Sequence, residues 1–150
     1  MSIYKITRGL GSTLERHQWT IAAASTTAAM AKGQWVYQNA AYEAIVSPAA
    51  STTVGANHKD ILFPVISGSE APDSDAVNGV AVGKGAHEAI TDGYEVTPAG
   101  ARPAWAKDLP IVIVAGVITT YLAASDDESN IKGTVIEVPA SGLLKVRINA

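Results

Sequence analysis

The chain has no cysteine. That absence excludes disulfides, thiolate zinc sites and cysteine nucleophiles together, and it fits assembly inside a reducing cell. Large rings are also scarce, with one Phe, three Trp and five Tyr in 150 residues, so that much of the 47% apolar fraction is alanine and the core is expected to be thin. Charge of one sign is lacking as well: the formal net charge is −3 and Lys and Arg are scattered. Without a basic stripe to track phosphates, nucleic acid is not an expected partner. The longest strongly apolar run, residues 111–118, has eight residues. A membrane-spanning helix needs roughly 20, so no membrane partner is expected and the run reads as a buried strand. Lys5, Arg8 and Arg16 precede an alanine-rich stretch ending Ala29-Met30-Ala31, the layout of a secretory signal. From Thr20 onward that stretch is mostly Ala, Ser and Thr without Leu or Phe, too weakly apolar for the purpose.

What is present is short β-type segments punctuated by Gly and Pro, in a length that suits one domain without a second independent core. Residues 1–14 set single large apolar side chains among Gly9, Gly11 and Ser12 without sustained periodicity and read as an extended N-terminal arm. Residues 15–150 read as a single β-rich domain. The segment 18–23 is a strand followed by a loop, because Ser25, Thr26 and Thr27 interrupt the alanines. After Lys32-Gly33, Trp35 and Tyr37 share one strand face. Residues 61–66 are extended, but Pro64 cannot donate to a ladder, which places the segment at an edge or outside the sheet.

Val80 and Val82 share a face of a strand beginning near Asn78-Gly79, and a strand over 86–90 leads to Asp92-Gly93, which reads as the primed turn of a hairpin into 94–96. Residues 98–110 are a long irregular connection with Trp105 in its middle. Residues 111–122 read as one central strand bent at Gly116. Residues 133–138 and 143–148 complete the set, and in the second Leu144, Val146 and Ile148 alternate with Lys145, Arg147 and Asn149. The pattern predicts an all-β fold, a small β-barrel or sandwich of about seven to nine short strands with an extended N-terminal arm.

Chemistry-bearing patterns are weak. His17, His58 and His87 lie far apart, without the local ligand pair of a zinc site, and read as exposed or locally bonded. His87-Glu88 beside Asp92 could be cast as an acid/base pair, but consecutive strand residues face opposite ways. No Gly-x-Ser-x-Gly elbow occurs. Residues 79–85 lack the Gly-Lys-Ser/Thr and following helix of a phosphate loop, so they read as a strand and its terminator. Asp126, Asp127 and Glu128 lack the alternate spacing of a calcium loop and, like Glu70, Asp73 and Asp75, read as a solvated turn. Trp19, Trp35 and Trp105 read as core or interface. No catalytic residue, cofactor or metal is expected, and the chain reads as a structural binding module and not an enzyme.

Five stretches, 19–24, 32–36, 78–82, 90–96 and 142–148, together give a Gly-Val-Ala strand, a Gly-x-x-Val corner and a Val-Arg-Ile finish in an Ala/Gly/Thr-rich chain. In this the sequence, over residues 18–148, resembles the capsid decoration (cement) proteins of tailed bacteriophages; the 98–110 connection and Trp105 depart from that pattern. The resemblance implies a virion protein, made in the host cytoplasm, that sits as a homotrimer on the outside of an assembled capsid and braces neighbouring major capsid protein subunits. A bracing protein needs surface rather than a catalytic pocket, which makes Ile3, Tyr4 and Ile6 in the arm, plus Trp105, the candidate partner contacts. Two alternatives stand beside it: another virion subunit such as a tail-tube, head-fibre or minor capsid protein, and a small-ligand or carbohydrate-binding β-module.

Overall fold

Strands dominate the described residues (3–9, 15–21, 30–46, 62–67 and 79–149) of the computed structural model. In chain order they are β1 (Tyr4–Gly9), β2 (Glu15–Thr20), β3 (Trp35–Gln38), β4 (Ala44–Val46), β5 (Phe63–Ser67), β6 (Gly79–Lys84), β7 (His87–Thr91), β8 (Pro110–Val114), β9 (Val117–Thr120), β10 (Gly133–Ala140) and β11 (Leu143–Ile148). They form two antiparallel sheets, one of order β1-β7-β11-β10-β8-β9 and one of order β2-β6-β5-β3-β4. No α-helix occurs among the described residues, which carry a 3-10 turn at Glu128–Asn130. The fold is an all-β sandwich. An isolated bridge between Ile21 and Ala44 draws the two outer strands of the five-stranded sheet together at one point without closing a barrel.

Side-chain alternation explains the strands that pack simply. Leu144, Val146 and Ile148 on β11 are buried while Arg147 is exposed, so one face of the six-stranded sheet meets the core and the other meets solvent. The five-stranded sheet is different, because β3 and β5 are apolar on both faces. Trp35, Tyr37 and Ile66 join the side chains of the six-stranded sheet in one cluster, with Tyr4, Ala89, Ile111, Ile113, Ile118 and Val135. Val36, Phe63 and Val65 face the other way, into a second cluster with Trp19, Ile21, Met30, Val80 and Val82. Two clusters thus back onto one sheet where a single thin core was expected, and the large rings are concentrated in them. As expected, Trp35 and Tyr37 share a face, as do Val80 and Val82.

Four local expectations are corrected. Residues 111–122 form not one bent strand but the β8/β9 hairpin: Ala115 and Gly116 have φ of 53° and 79°, the two left-handed residues of a primed turn, closed by the Val114–Val117 pair. Ser141 and Gly142, with φ of 54° and 75°, turn β10 into β11 in the same way. At Asp92-Gly93, where such a turn was expected, none forms, and Tyr94 instead makes a parallel bridge to Ile118. Gly93 is needed for closeness rather than for φ, since a Cβ there would collide with the Gly33 carbonyl.

Pro64 lies in β5, at the centre of its sheet and not at an edge. The Val65 N–H and carbonyl both bond toward β3 (2.8 Å to Gln34 O and 3.0 Å from Gly33 N), so the Pro64 nitrogen faces β6, where pairing begins only at Val65–Val82 and shifts before Ser67. The irregular ladder absorbs the missing donor. Finally, the described part of the expected arm is not free chain: Tyr4–Gly9 pairs with β7 along its length, because Tyr4 and Ile6 supply two apolar side chains to the inner face of the sheet. The expectations for 22–29, 47–61 and 68–78, including His58 and the acidic residues Glu70, Asp73 and Asp75, lie outside the described residues.

Candidate interaction surface

Between the Tyr94 bridge and β8 the chain runs through an irregular connection, as expected, and nearly every turn of it is fastened to the sandwich. Glu95 N donates to Ile118 O at 2.9 Å. The Glu95 carboxylate accepts from Thr119 Oγ1 at 3.2 Å and from the backbone N–H of Ala99. Arg102 points inward: its guanidinium forms a two-pronged pair with Asp126 at 2.6 and 3.0 Å and donates to Thr120 O at 2.6 Å. The two side chains are only 12% and 2% exposed. The Asp126 carboxylate also accepts from Leu122 N at 2.9 Å, so both charges are met by further polar groups, as burial demands.

Thr120 Oγ1 donates to Pro103 O at 2.7 Å. Trp105 Nε1 donates to Glu95 O at 2.9 Å, and its ring stands edge-on to Tyr94, with centroids 5.7 Å apart. Asp108 N and Val135 N close the far end on β10 and on Leu109, each at 2.9 Å. Asp126 is therefore a buried anchor, which corrects its reading as part of a solvated turn; Asp127 and Glu128 are exposed in the turn as expected, the Asp127 carboxylate accepting from Ser129 N at 2.9 Å.

Held this way, the connection presents Val96 at 76% exposure, with exposed Ala99, Gly100, Ala101, Pro103, Ala104 and Ala106 beyond it. Small side chains on an already ordered backbone lose little entropy when a partner covers them. Irregular connections of this length are uncommon in compact domains and are usually functional. Of the four contacts expected from sequence, Trp105 belongs here, half-buried with its polar atom already used. Ile3 is 41% exposed and hydrogen-bonded to the Asp92 carboxylate at 2.9 Å. Ile3 and Trp105 thus both hydrogen-bond within residues 92–95. Tyr4 and Ile6 are turned into the core and do not offer contact surface.

The solvent face of the six-stranded sheet carries a different surface. Arg147 donates to Glu88 at 2.9 Å across the β7/β11 ladder and holds that carboxyl below the usual carboxylate range. Glu88 thus faces away from His87, as strand geometry required. Beside it lies an open depression of about 180 Å³ lined by Ile90, Glu137, Val138, Ala140, Leu143 and Lys145.

Beneath the sheet, His87 is fully buried rather than exposed, and of the two expected states it takes the locally bonded one, through Gly85. Nδ1 faces Gly85 O at 2.8 Å and must carry the proton, which leaves Nε2 to accept from Tyr4 OH at 2.6 Å. Burial raises the Tyr4 hydroxyl well above its ordinary pKa, so it remains a donor. Lys132, 2% exposed, places its ammonium 5.5 Å from the Trp35 ring centroid and 5.3 Å from that of Phe63. Sequence reasoning missed Arg102, Asp126, Tyr4 with His87, and Lys132. The Arg102–Asp126 and Tyr4–His87 pairings span 24 and 83 residues, the Lys132–Trp35 contact is longer still, and none leaves a local spacing to read.

Among the described residues, no three His, Asp or Glu side chains group as metal ligands, and no helix is long and apolar enough to cross a membrane. No family model, curated protein or solved structure matches the chain.

Proposed function

We propose that the protein is a structural, non-enzymatic component of a phage virion that binds the outside of the assembled capsid, as a homotrimer, and stabilises contacts between major capsid subunits. The observation that carries the binding role is the connection between Tyr94 and β8. It is exposed, mostly small in its side chains before Lys107 and Asp108, and fixed by a buried Arg102–Asp126 pair and the Trp105 hydrogen bond. A chain that used this segment only as a linker would have no need of a buried ion pair within it, since such a pair is expensive to desolvate. The capsid as partner follows from the resemblance of five sequence stretches to the decoration proteins.

The test uses DNA-free capsids assembled from the major capsid protein encoded in the same genome. Mixed with them, the full chain is expected to co-sediment at saturating stoichiometry and to raise the temperature at which the shell disassembles, while light scattering of the free protein gives the mass of three chains. Absence of co-sedimentation overturns the capsid role. Rings or tubes formed by the protein alone would favour a tail-tube subunit instead.

A further inference from the structure

We propose that the Tyr4–His87 contact is an acid-sensitive latch: protonation of His87 undocks β1 from β7 while the rest of the sandwich stays folded. This stands independently of the virion role.

The geometry carries it. His87 opens β7, its ring is inaccessible to solvent, and both nitrogens are committed, Nδ1 as donor to Gly85 O and Nε2 as acceptor from Tyr4 OH. A second ring proton would sit on Nε2 and reverse the bond, so that the Tyr4 hydroxyl hydrogen loses its acceptor and must turn away while a charge is placed where solvent does not reach. Lys132, ahead of β10, contributes a cation to the same surroundings. In register, β1 sets Gly9 opposite His87 and β11 sets Ile148 there. Among the described residues, the groups facing His87 from these elements are a neutral phenol, a cation, a glycine and an apolar side chain, none of which carries a negative charge to offset an imidazolium. Burial first, and the Lys132 charge with it, hold the imidazole below its ordinary 6.5, against the Gly85 carbonyl, which works the other way.

The sign follows from proton counting. Between the lowered folded value and 6.5, the undocked imidazole binds more protons than the docked one. Docking is therefore at full strength above 6.5 and weakens as pH falls through the folded value.

What gives way is set by topology. β1 is the edge of the six-stranded sheet and has one ladder to lose, whereas β7 remains paired to β11 on its other side. Tyr4 stands edge-on to His87 with ring centroids 5.7 Å apart, and it is the edge strand's own side chain. Moving it out lets water reach the imidazolium without disturbing the hairpins behind it.

Hydrogen exchange of the full chain, corrected for intrinsic rates, tests this at about pH 7.5 and about pH 5, either side of the histidine range. Protection of the β1 amides that bond to β7 is expected to fall roughly tenfold in acid, with the β10/β11 hairpin unchanged. His87→Gln, which cannot take the proton, is expected to show equal β1 protection at both pH values. Tyr4→Phe is expected to lower β1 protection already at the higher pH and to shrink the acid effect. Should His87→Gln not fold, the imidazole resonances of wild-type His87 must titrate along the same curve as β1 exchange. Equal loss in β1 and β11, no loss in acid, an unchanged acid response in His87→Gln, or separate midpoints would each overturn the latch.

Discussion

Two segments of this sandwich are fastened by buried polar pairs of opposite character. The N-terminal strand is held through Tyr4 and His87, a neutral pair that depends on one proton. The connection after Tyr94 is held through Arg102 and Asp126, an ion pair built on a guanidinium. Both also touch residues 92–95, where Ile3 N bonds to Asp92 and Trp105 bonds to Glu95. The difference teaches that burial alone does not decide how a segment responds to its surroundings. Imidazole changes charge near neutrality and guanidinium does not, so one segment is releasable and the other is a fixed surface.

Breaking the ion pair should have the largest effect. Asp126→Asn leaves the Arg102 charge buried with a weaker partner, and chemical unfolding is expected to show a loss of about 3–5 kcal/mol. A loss under about 1 kcal/mol would mean that the pair is no better than a surface one. The corner between the two segments comes next. Gly93→Ala drives a methyl into the Gly33 backbone, and a loss of about 1–3 kcal/mol is expected, with faster exchange in both segments at once. Tyr4→Phe keeps the ring in the core and strands His87 Nε2, for about 1–2 kcal/mol in thermal unfolding near neutral pH. The difference between Tyr4→Phe and wild type should narrow in acid, whereas an identical gap at both pH values would remove the contrast between the segments.

The smallest change is expected from Ala115→Gly. Ala115 occupies φ 53° in the β8/β9 turn, where glycine relieves strain at some entropic cost, for a net gain of about 0.5 kcal/mol. It touches neither fastening, so exchange in both segments should stay as in wild type.

How much of this was legible in the sequence varies from element to element, for physical reasons. β11 could be read residue by residue because it has one dominant buried face and period-two alternation survives in the composition, whereas β6, buried on both faces, was legible because Val80 and Val82 alternate with the small Gly79, Ala81 and Gly83. The β8/β9 hairpin could not, because its turn is Ala115-Gly116 inside an apolar run, and alanine gives no sign that it will adopt a positive φ. Asp92-Gly93 misled for the converse reason: its glycine serves the approach of Gly33, a contact 60 residues away in the chain that no local pattern records. Pro64 argued against a central strand, yet the ladder shift at Val65 to Ser67 accommodates it. The connection was legible as irregular chain with Trp105 in its middle. What fixes it was not, because Asp126 sits in an acidic run that reads as solvated and only the folded chain brings Arg102 to it.

The most direct test of the docking role is capsid co-sedimentation of Val96→Asp, which puts a charge on the most exposed apolar side chain of the connection (76% exposed) without touching Arg102, Asp126 or Trp105. Wild type is expected to bind, and the variant to bind at least about tenfold more weakly with the same melting temperature. Binding of the variant at wild-type strength would show that the partner meets the protein elsewhere.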